Sequence, residues 1–394
     1  MTTAKKITKL SLVSPVDALL EATTKLLSVV PAKSPKPVLS NIRFSVEHGI
    51  LELAGTDYIA GIHYSIPAAK LKAEGGGLLN GARFADYLKE YRGAEAAITF
   101  DPRGGCHFKA KGGRYKIVGD DPRDYPKLPR FDGKVGFAMT GEVITGMIKK
   151  TLFAIAPEES RMTTNGVLFE LKAGRFRLVA TDNKRMSITE QMVNTEIDDF
   201  SVSVPDSFLK AVLKVTSKDV SSQTATIGVD GKRVFYKIGT ATVYSTTLQG
   251  NYPPYEEALR IRLKHHIDCG VSDLLSTIKR AMLVDRGLTA FNFETGVLTL
   301  ASSSSSVGVG AADMVIDFEL PEGEEKIRIG LNPEFIRDGL EAMTAKRCRF
   351  LFEGPRNAGI LKELVAAIGS KSVTEDVSDE YVYATMPALL PPEN

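Results

Sequence analysis

A β-hairpin with a glycine turn occurs three times along the chain, and this repeat limits the possible folds more than any other feature. The turns lie at Gly49, Gly174 and Gly296. Apolar residues alternate on both sides of each turn, which is the pattern of strands with one buried face. The turns recur at a spacing of about 125 residues, far beyond the roughly 20–50 residues of solenoid repeats. The chain is therefore predicted to contain three similar domains.

Each hairpin lies between two segments with helical periodicity. These segments predict helices at 14–30, 80–93, 140–156, 204–218, 270–286 and 331–347. Ser14, Thr140 and Ser272 are predicted to cap the first helix of each repeat. Two helices and roughly half a dozen strands per repeat define an α+β architecture. Proline-rich segments place the boundaries, which gives domains at 1–129, 130–259 and 260–394.

The composition is that of a globular protein, with 43% hydrophobic and 25% charged residues. Residues 1–9 lack the apolar core of a signal peptide, and no run of about 18 apolar residues could span a bilayer. The three cysteines, Cys106, Cys269 and Cys348, are far apart and share no metal-ligand spacing. We therefore expect a cytoplasmic protein that does not associate with membranes.

Catalytic chemistry has no credible carrier in the sequence. Asp57 and Asp182 each follow a threonine at equivalent places in two repeats, where aspartate most simply accepts backbone hydrogen bonds at a turn. No phosphate-binding Gly-x-x-x-x-Gly-Lys-Ser/Thr segment is present. The adjacent His265 and His266 would diverge on a strand rather than bind one metal. These absences favour a binding protein without catalysis, cofactor or metal.

The net charge is only +2, so a nucleic-acid surface would depend on where the cations lie. Basic residues on the predicted helices include Lys149, Lys210, Lys214, Lys218, Lys279 and Arg280. Lys210, Lys214 and Lys218 recur every four residues and are predicted to share a helix face. Cations late in a helix complement its dipole, which is one explanation of the pattern. A helix-lined surface that contacts phosphates is the other, and composition alone does not choose between them.

Short motifs in all three repeats follow one family pattern. They are residues 37–41 and 53–57 in the first repeat, 161–170 and 179–186 in the second, and 330–335 with Met386-Pro387 in the third. In this order, over nearly the whole chain, they resemble the bacterial DNA polymerase III beta subunit, the sliding clamp. The resemblance implies a DNA-clamp fold and a head-to-tail homodimeric ring of six domains around double-stranded DNA. A closed ring binds by topology, so weak phosphate contacts suffice.

The resemblance also implies functional residues. Lys33 and Arg161 fall where the family contacts DNA, and they join Lys149, Lys210, Lys214, Lys279 and Arg280 as DNA-binding candidates. Ring closure would pair Tyr115 and Ile117 of one copy with Leu283 and Val284, at the end of a helix, in the other. An apolar cleft would bind short linear peptides of the polymerase catalytic subunit, the clamp loader and repair proteins. Its residues would be Thr164, Thr181, Asn183, Lys184, Arg185, Met186, Pro253, Met386, Pro387, Ala388, Leu389 and Leu390.

Two alternatives remain open at this point. Thr164, Asn183 and residues 388–390 differ from the residues usual in the family. These differences are compatible with a divergent homologue that has a specialised partner or an inhibitory role. An enzyme on a clamp-like scaffold is the second alternative, and it would need an acid, base or metal cluster that the sequence does not reveal.

Overall fold

The structure, a computed structural model, describes residues 10–47, 49–67, 75–101, 104–132, 136–157, 165–368 and 373–391. The chain divides into two compact units. Unit 1 comprises Met1–Thr145, Val193–Asp198 and Val204–Thr247, and unit 2 comprises Gly146–Met192, Asp199–Ser203 and Leu248–Asn394. Each unit contains one eight-stranded and one four-stranded sheet.

All six predicted helices are present, and each is shorter than predicted. The helices of the described residues are α1 (Val16–Leu26), α2 (Gly81–Glu90), α3 (Gly141–Thr151), α4 (Asp206–Val215), α5 (Lys218–Ser221), α6 (Glu256–Arg260), α7 (Val271–Ala281) and α8 (Pro333–Glu341). The short helices α5 and α6 were not predicted. Because α4 ends at Val215, Lys218 lies in a separate helix. The prediction that Lys218 continues the face of Lys210 and Lys214 was therefore wrong.

Asparagine, rather than serine, supplies most of the side-chain caps. Thr140 caps α3 as predicted, accepting a hydrogen bond from the first turn at 3.4 Å. Ser14 instead lies buried in a strand, and Ser272 lies inside α7, so both of those predictions were wrong. Asn80 and Asn332, which the sequence analysis missed, accept hydrogen bonds from the N–H groups that open α2 and α8, at 3.1 and 2.8 Å. An asparagine directly before a helix is a cap signal.

Apart from the short α5 and α6, each repeat has one strand, a helix, four strands, a second helix and three strands, in that order. In chain order they are β1 (Ser11–Pro15), β2 (Asn41–Glu47), β3 (Ile50–Thr56), β4 (Ala60–Pro67), β5 (Gly75–Asn80), β6 (Glu95–Phe100), β7 (Cys106–Ala110), β8 (Gly113–Ile117), β9 (Phe137–Thr140), β10 (Gly166–Lys172), β11 (Arg175–Thr181), β12 (Arg185–Met192), β13 (Phe200–Pro205), β14 (Thr224–Asp230), β15 (Arg233–Ile238), β16 (Ala241–Thr246), β17 (His265–Gly270), β18 (Thr289–Glu294), β19 (Val297–Ser304), β20 (Gly308–Val315), β21 (Ile327–Leu331), β22 (Arg347–Phe352), β23 (Gly359–Ile368) and β24 (Val373–Thr385). The described residues of each repeat therefore form eight strands, more than predicted.

The two eight-stranded sheets share one plan. Unit 1 has the order β5-β2-β3-β4-β16-β15-β14-β9, and unit 2 has β13-β10-β11-β12-β24-β23-β22-β17. In each, four strands that contain a predicted hairpin, here called a hairpin half, join the first strand and the last three strands of the next repeat, here called a closing half. The halves meet where β4 pairs with β16 and where β12 pairs with β24, both antiparallel. These two pairings are called junctions below.

Each four-stranded sheet is a single half that joins no other half among the described residues. Unit 1 contains β1-β6-β7-β8, which is the closing half of the first repeat. Unit 2 contains β20-β19-β18-β21, which is the hairpin half of the third repeat. By their place in the repeat, β8 corresponds to β16 and β24, and β20 corresponds to β4 and β12. Both β8 and β20 are edge strands of their sheets.

The three hairpin turns confirm the repeat at the level of the backbone. Gly49, Gly174 and Gly296 have φ values of 76°, 74° and 77°. These angles lie in the left-handed region, where glycine is favoured because it lacks a Cβ. The strand pairing across the second turn brings Leu171 opposite Phe176. The alternating pattern therefore predicted both the strands and their turns correctly.

In unit 2, apolar residues of both sheets and of helices α7 and α8 pack into one buried cluster. In unit 2 the largest cluster contains Leu274 and Ile278 of α7 together with Phe291, Phe293 and Tyr383 of the strands. Cys106, Cys269 and Cys348 are all buried and unbridged. In the part of the chain that is described, no helix combines the length and the apolar character needed to cross a membrane.

Candidate functional site

Two short polar side chains shape the turn between β11 and β12. The hydroxyl of Thr181 accepts from the N–H of Asn183 at 3.1 Å and donates to the carbonyl of Arg185 at 2.7 Å. The Asp182 carboxylate accepts from the N–H groups of Lys184 and Arg185 at 3.0 and 2.9 Å. Asn183 has a φ of 67°, which asparagine tolerates better than most residues. The structural interpretation of this Thr-Asp pair is therefore confirmed.

Arg185 connects the turn to neighbouring elements of unit 2 through hydrogen bonds. Its guanidinium donates to Asp182 at 3.1 Å, to Asp338 of α8 at 2.6 Å and to the carbonyl of Phe153 at 2.8 Å. It also lies 4.5 Å from the ring centroid of Phe335. Burial alone would lower the pKa of Arg185, but the hydrogen bond to Asp338 and the nearby charges outweigh burial and raise the pKa. The side chain stays charged, and its donors are used within the protein.

The C-terminal segment passes directly beside this turn. The N–H of Met386 donates to the carbonyl of Lys184 at 2.8 Å, and the N–H of Ala388 donates to the carbonyl of Gly330 at 2.8 Å. Although this backbone is fixed, the side chain of Met386 is 57% exposed and that of Leu389 is 88% exposed. The segment therefore presents two apolar side chains to solvent from a defined position.

An apolar cluster forms the floor beside the segment. Met186 lies opposite Ala384 where β12 pairs with β24, and both pack against a cluster that includes Val179 and Ile360. Tyr252 packs on the same cluster and donates its hydroxyl to the carbonyl of Val179 at 3.0 Å. Burial raises the pKa of the Tyr252 phenol. A partner's apolar side chain would meet apolar groups here.

The described residues of the predicted cleft all belong to unit 2. Its members lie on the turn, on the linker that holds Tyr252 or on the C-terminal segment: Thr181, Asn183, Lys184, Arg185, Met186, Pro253, Met386, Pro387, Ala388, Leu389 and Leu390. Thr164, from the same prediction, and Arg161, from the DNA prediction, lie outside the described residues. Among the described residues, no group of three or more His, Cys, Asp or Glu side chains could hold a metal ion.

The predicted ring-closing residues of unit 1 lie on and beside the edge strand β8. Tyr115 is 37% exposed, and its ring lies 4.9 Å from that of Tyr87 and its hydroxyl 2.5 Å from that of Tyr91. Ile117 is 9% exposed, whereas the next residue, Val118, is 89% exposed. One side of β8 has no partner strand among the described residues. An unpaired edge of this kind can accept a further strand.

The predicted ring-closing residues of unit 2 lie beside the edge strand β20. Helix α7 ends at Ala281, so Leu283 and Val284 follow the helix in a hydrogen-bonded turn and do not end it as predicted. Leu283 is 78% exposed. Val284 packs on Gly310 of β20, because a Cβ built there would lie 2.7 Å from a Val284 methyl group.

Several predicted DNA-binding cations are paired within the protein. Lys210 lies 2.5 Å from the Asp206 carboxylate on α4, and Lys279 lies 2.8 Å from the Glu341 carboxylate on α8. Arg280 donates to a backbone carbonyl of β20 at 3.3 Å. These exposed pairs are weak in water and can rearrange.

Other predicted cations have no such partner. Lys33, Lys149 and Lys214 are exposed, and none forms an ion pair with a described residue. Lys214 lines a depression of ≈ 390 Å³ in unit 1 together with Lys25 and Arg92. The charges of Lys33, Lys149 and Lys214 are available to an anionic ligand.

Two sequence profiles of one family match the chain. The N-terminal domain of the DNA polymerase III beta subunit matches residues 11–129, and its central domain matches residues 138–254. Together they cover more than half of the chain. The beta sliding clamp of Chlamydia trachomatis serovar D is 24% identical over 347 residues, which are 86% of this chain and 80% of that protein.

Solved structures show the same fold. The sliding clamp of Pseudomonas aeruginosa bound to griselimycin has a TM-score of 0.87 at 19% identity, covering 97% of this chain and all 100% of that one. The DNA polymerase sliding clamp of Bacillus subtilis has a TM-score of 0.87 at 19% identity, covering 98% and 100%. The fold is therefore that of the sliding clamps. The chain belongs to the bacterial DNA polymerase III beta subunit family, the beta sliding clamps.

Proposed function

We propose that this protein is a DNA sliding clamp: two copies close head to tail around duplex DNA and tether the polymerase and other DNA-processing proteins without catalysing a reaction. The observation that carries the proposal is the arrangement of half-sheets. The described residues form three hairpin halves and three closing halves, but only two junctions. One half of each kind remains, with the equivalent edge strands β20 and β8. A second copy supplies the missing partner for both.

The closed junction of unit 2 indicates which side chains would pack together where β8 of one copy meets β20 of another. Phe153 follows α3 at the position that Leu283 occupies after α7, and Tyr383 corresponds to Tyr115 in the closing halves. Phe153 and Tyr383 pack with ring centroids 5.8 Å apart. Leu283 is 78% exposed and Tyr115 is 37% exposed. Pairing Leu283 of one copy with Tyr115 of the other would reproduce this contact and support the predicted interface.

The known junctions also give a strand register for the interface. Ala60 opposes Ser245 in the first junction and Arg185 opposes Thr385 in the second. Their counterparts place Gly308 opposite Ile117, Val309 opposite Lys116 and Gly310 opposite Tyr115. A tyrosine beside Gly310 would then rest against Val284, which already packs on that glycine. The register therefore makes Tyr115, Ile117, Leu283 and Val284 one contact surface.

The cleft of unit 2 would dock partner tails. Met386 and Leu389 are exposed beside the apolar floor of Met186 and Ala384, and the peptide backbone around them is held by hydrogen bonds. A short linear peptide with apolar side chains fits such a surface, because the cleft is ordered before the peptide arrives. The polymerase catalytic subunit, the clamp loader and repair proteins would compete for it.

DNA would be held by topology and by weak phosphate contacts. Lys33, Lys149 and Lys214 carry the charge that is free for phosphates, and Lys210, Lys279, Arg280 and Arg161 complete the proposed set. Because contacts of this kind carry no sequence information, the ring can slide. We place the protein in the cytoplasm, with domains at 1–129, 130–259 and 260–394.

Retention on DNA tests the proposal. The protein is loaded with a clamp loader and ATP onto a nicked circular plasmid, and the DNA is then cut once in half of the sample. A ring stays on the circle through gel filtration in high salt and leaves the linear DNA through its ends. Equal retention on both forms would contradict encirclement.

A further inference from the structure

The backbone that frames the proposed cleft occurs a second time, at the junction of unit 1. There Asp57 accepts from the N–H groups of Ile59 and Ala60 at 2.8 and 2.7 Å. The N–H of Thr246 donates to the carbonyl of Ile59 at 2.9 Å. Asp182 and Met386 make the corresponding hydrogen bonds in unit 2 at 2.8–3.0 Å. The chain therefore holds two copies of one docking scaffold.

The floors of the two scaffolds differ in which strand carries the large side chain. In unit 2, Met186 of β12 opposes Ala384 of β24. In unit 1, the corresponding pair is Gly61 of β4 and Tyr244 of β16. A Cβ built on Gly61 would lie 2.3 Å from the hydroxyl oxygen of Tyr244, so the tyrosine ring lies directly over the glycine. Tyr244 is only 3% exposed.

Further rings hold Tyr244 in this position. Its centroid lies 5.7 Å from that of His63 and 6.5 Å from that of Phe235, and Phe131 stacks on Phe235 at 5.1 Å. The position of Phe235, opposite Tyr244, corresponds to that of Ile360, opposite Ala384, in unit 2. The first scaffold is thus filled with aromatic rings where the second has aliphatic residues.

We propose that Tyr244 closes the first scaffold from within, so that each chain offers a single open docking cleft. The inference rests on the proposed function, because it takes the unit 2 cleft to bind apolar peptide side chains. Rings contributed by the chain itself occupy the space that a peptide side chain would need. Tyr244 therefore prevents the unit 1 scaffold from binding such a peptide.

Calorimetric titration tests this inference. The probe is a fluorescent synthetic peptide copied from the clamp-binding segment of a polymerase catalytic subunit. The wild type should bind one peptide per chain. The double variant Gly61→Met with Tyr244→Ala transfers the unit 2 pair to unit 1 at nearly constant volume and should bind two, the second within about 100-fold of the first affinity. Adding Met386→Ala to this variant should weaken only the original site.

The outcomes separate the inference from the proposed function. A folded double variant that still binds one peptide per chain overturns the role of Tyr244, as does a wild type that binds two. A wild type that binds no peptide removes the proposed cleft itself. If the double variant does not fold, photocrosslinking the benzophenone-labelled peptide to wild type gives the answer. Label confined to the Met386 segment supports the inference, and label on Tyr58 or Ile59 overturns it.

Discussion

The junction inside unit 2 and the two unpaired sheet edges are built from the same parts, but only the junction is closed. In the junction, Phe153 packs against Tyr383 and β12 pairs with β24. At the edges, the corresponding Leu283 and Tyr115 are exposed, and among the described residues β20 and β8 each pair with a strand on one side only. This difference supports the proposal that a second copy makes the contact that one chain leaves unmade.

This comparison also explains why the exposed residues are apolar. Isolated surface leucines and valines are ordinary, but here Leu283, Val309 and Val118 are 78%, 83% and 89% exposed beside unpaired edges. Unpaired edges with apolar neighbours invite aggregation unless a partner covers them. A dimer that closes both edges removes this liability at once.

The largest expected effect is the loss of the dimer in Leu283→Asp. A carboxylate at the centre of the proposed contact would be desolvated without a partner, so the dimer dissociation constant should rise at least ~100-fold. Analytical ultracentrifugation measures it directly. Val315→Asp is the matched control, because Val315 is 88% exposed on β20 but lies outside the proposed register. If Leu283→Asp sediments as the wild-type dimer, the interface assignment is wrong.

The corresponding change in the closed junction should destabilise the chain and leave the dimer intact. Phe153→Ala removes the ring that packs on Tyr383, and we expect the free energy of unfolding to fall by about 3 kcal/mol. Urea denaturation measures the loss, and sedimentation of the folded variant should still show a dimer. If Phe153→Ala were a monomer with the unfolding free energy of the wild type, Phe153 would lie at the dimer interface and not in the core of unit 2.

A buried ion pair at the closed junction makes stability depend on pH. Glu363 lies 2.9 Å from Lys150 and also accepts from the N–H of Thr344 and Ala345. Burial alone would raise the pKa of Glu363, but Lys150 and these N–H groups outweigh burial and lower the pKa. A lowered folded-state pKa means that the stabilisation is complete above the unfolded pKa of about 4.3 and is lost as pH falls through the folded value.

Glu363→Gln isolates this contribution. We expect the variant to lose about 2 kcal/mol of unfolding free energy at pH 7, because Lys150 is left without its carboxylate. The difference from wild type should shrink steadily below about pH 4.3. Urea denaturation between pH 3 and pH 7 measures both. A difference that stays constant across this range would show that the Glu363 charge contributes nothing.

At the cleft, the expected effect is smaller because one side chain among several is removed. Met386→Ala should weaken binding of a polymerase-derived peptide about 10-fold, measured by fluorescence anisotropy. Met192→Ala is the control, since Met192 is 67% exposed outside the cleft. Equal affinity of Met386→Ala and wild type would remove the cleft assignment.

Some features of the fold and of the cleft could be predicted from the sequence, and others could not. The glycine turns and alternating strands were predictable, because period-two patterning and positive φ depend on neighbouring residues. The joining of β12 to β24 was not, because it links segments about 200 residues apart with no local signal. The cleft residues came from motifs, but the hydrogen bonds of Arg185 to Asp338 and Phe153 depend on tertiary packing. Asn80 and Asn332 were available cap signals that the periodicity analysis missed.

The smallest expected effect concerns phosphate contacts. Lys214→Ala should reduce the salt dependence of non-specific DNA binding by about one phosphate contact, measured by titrations between low and moderate salt. Lys210→Ala should change it less, because Lys210 already pairs with Asp206 at 2.5 Å. An effect of Lys210→Ala larger than that of Lys214→Ala would show that this pair opens on DNA.

Disulfide trapping across the proposed edge contact tests the central claim most directly. The variant Lys116→Cys with Val309→Cys places the two thiols opposite each other only if β8 of one copy pairs with β20 of another in the transferred register. Mild oxidation should then give a covalent dimer on a non-reducing gel, while Arg114→Cys with Val309→Cys should link poorly. The three native cysteines are buried and should not interfere. A variant that remains monomeric on the gel, or that links equally well in both registers, would contradict the account.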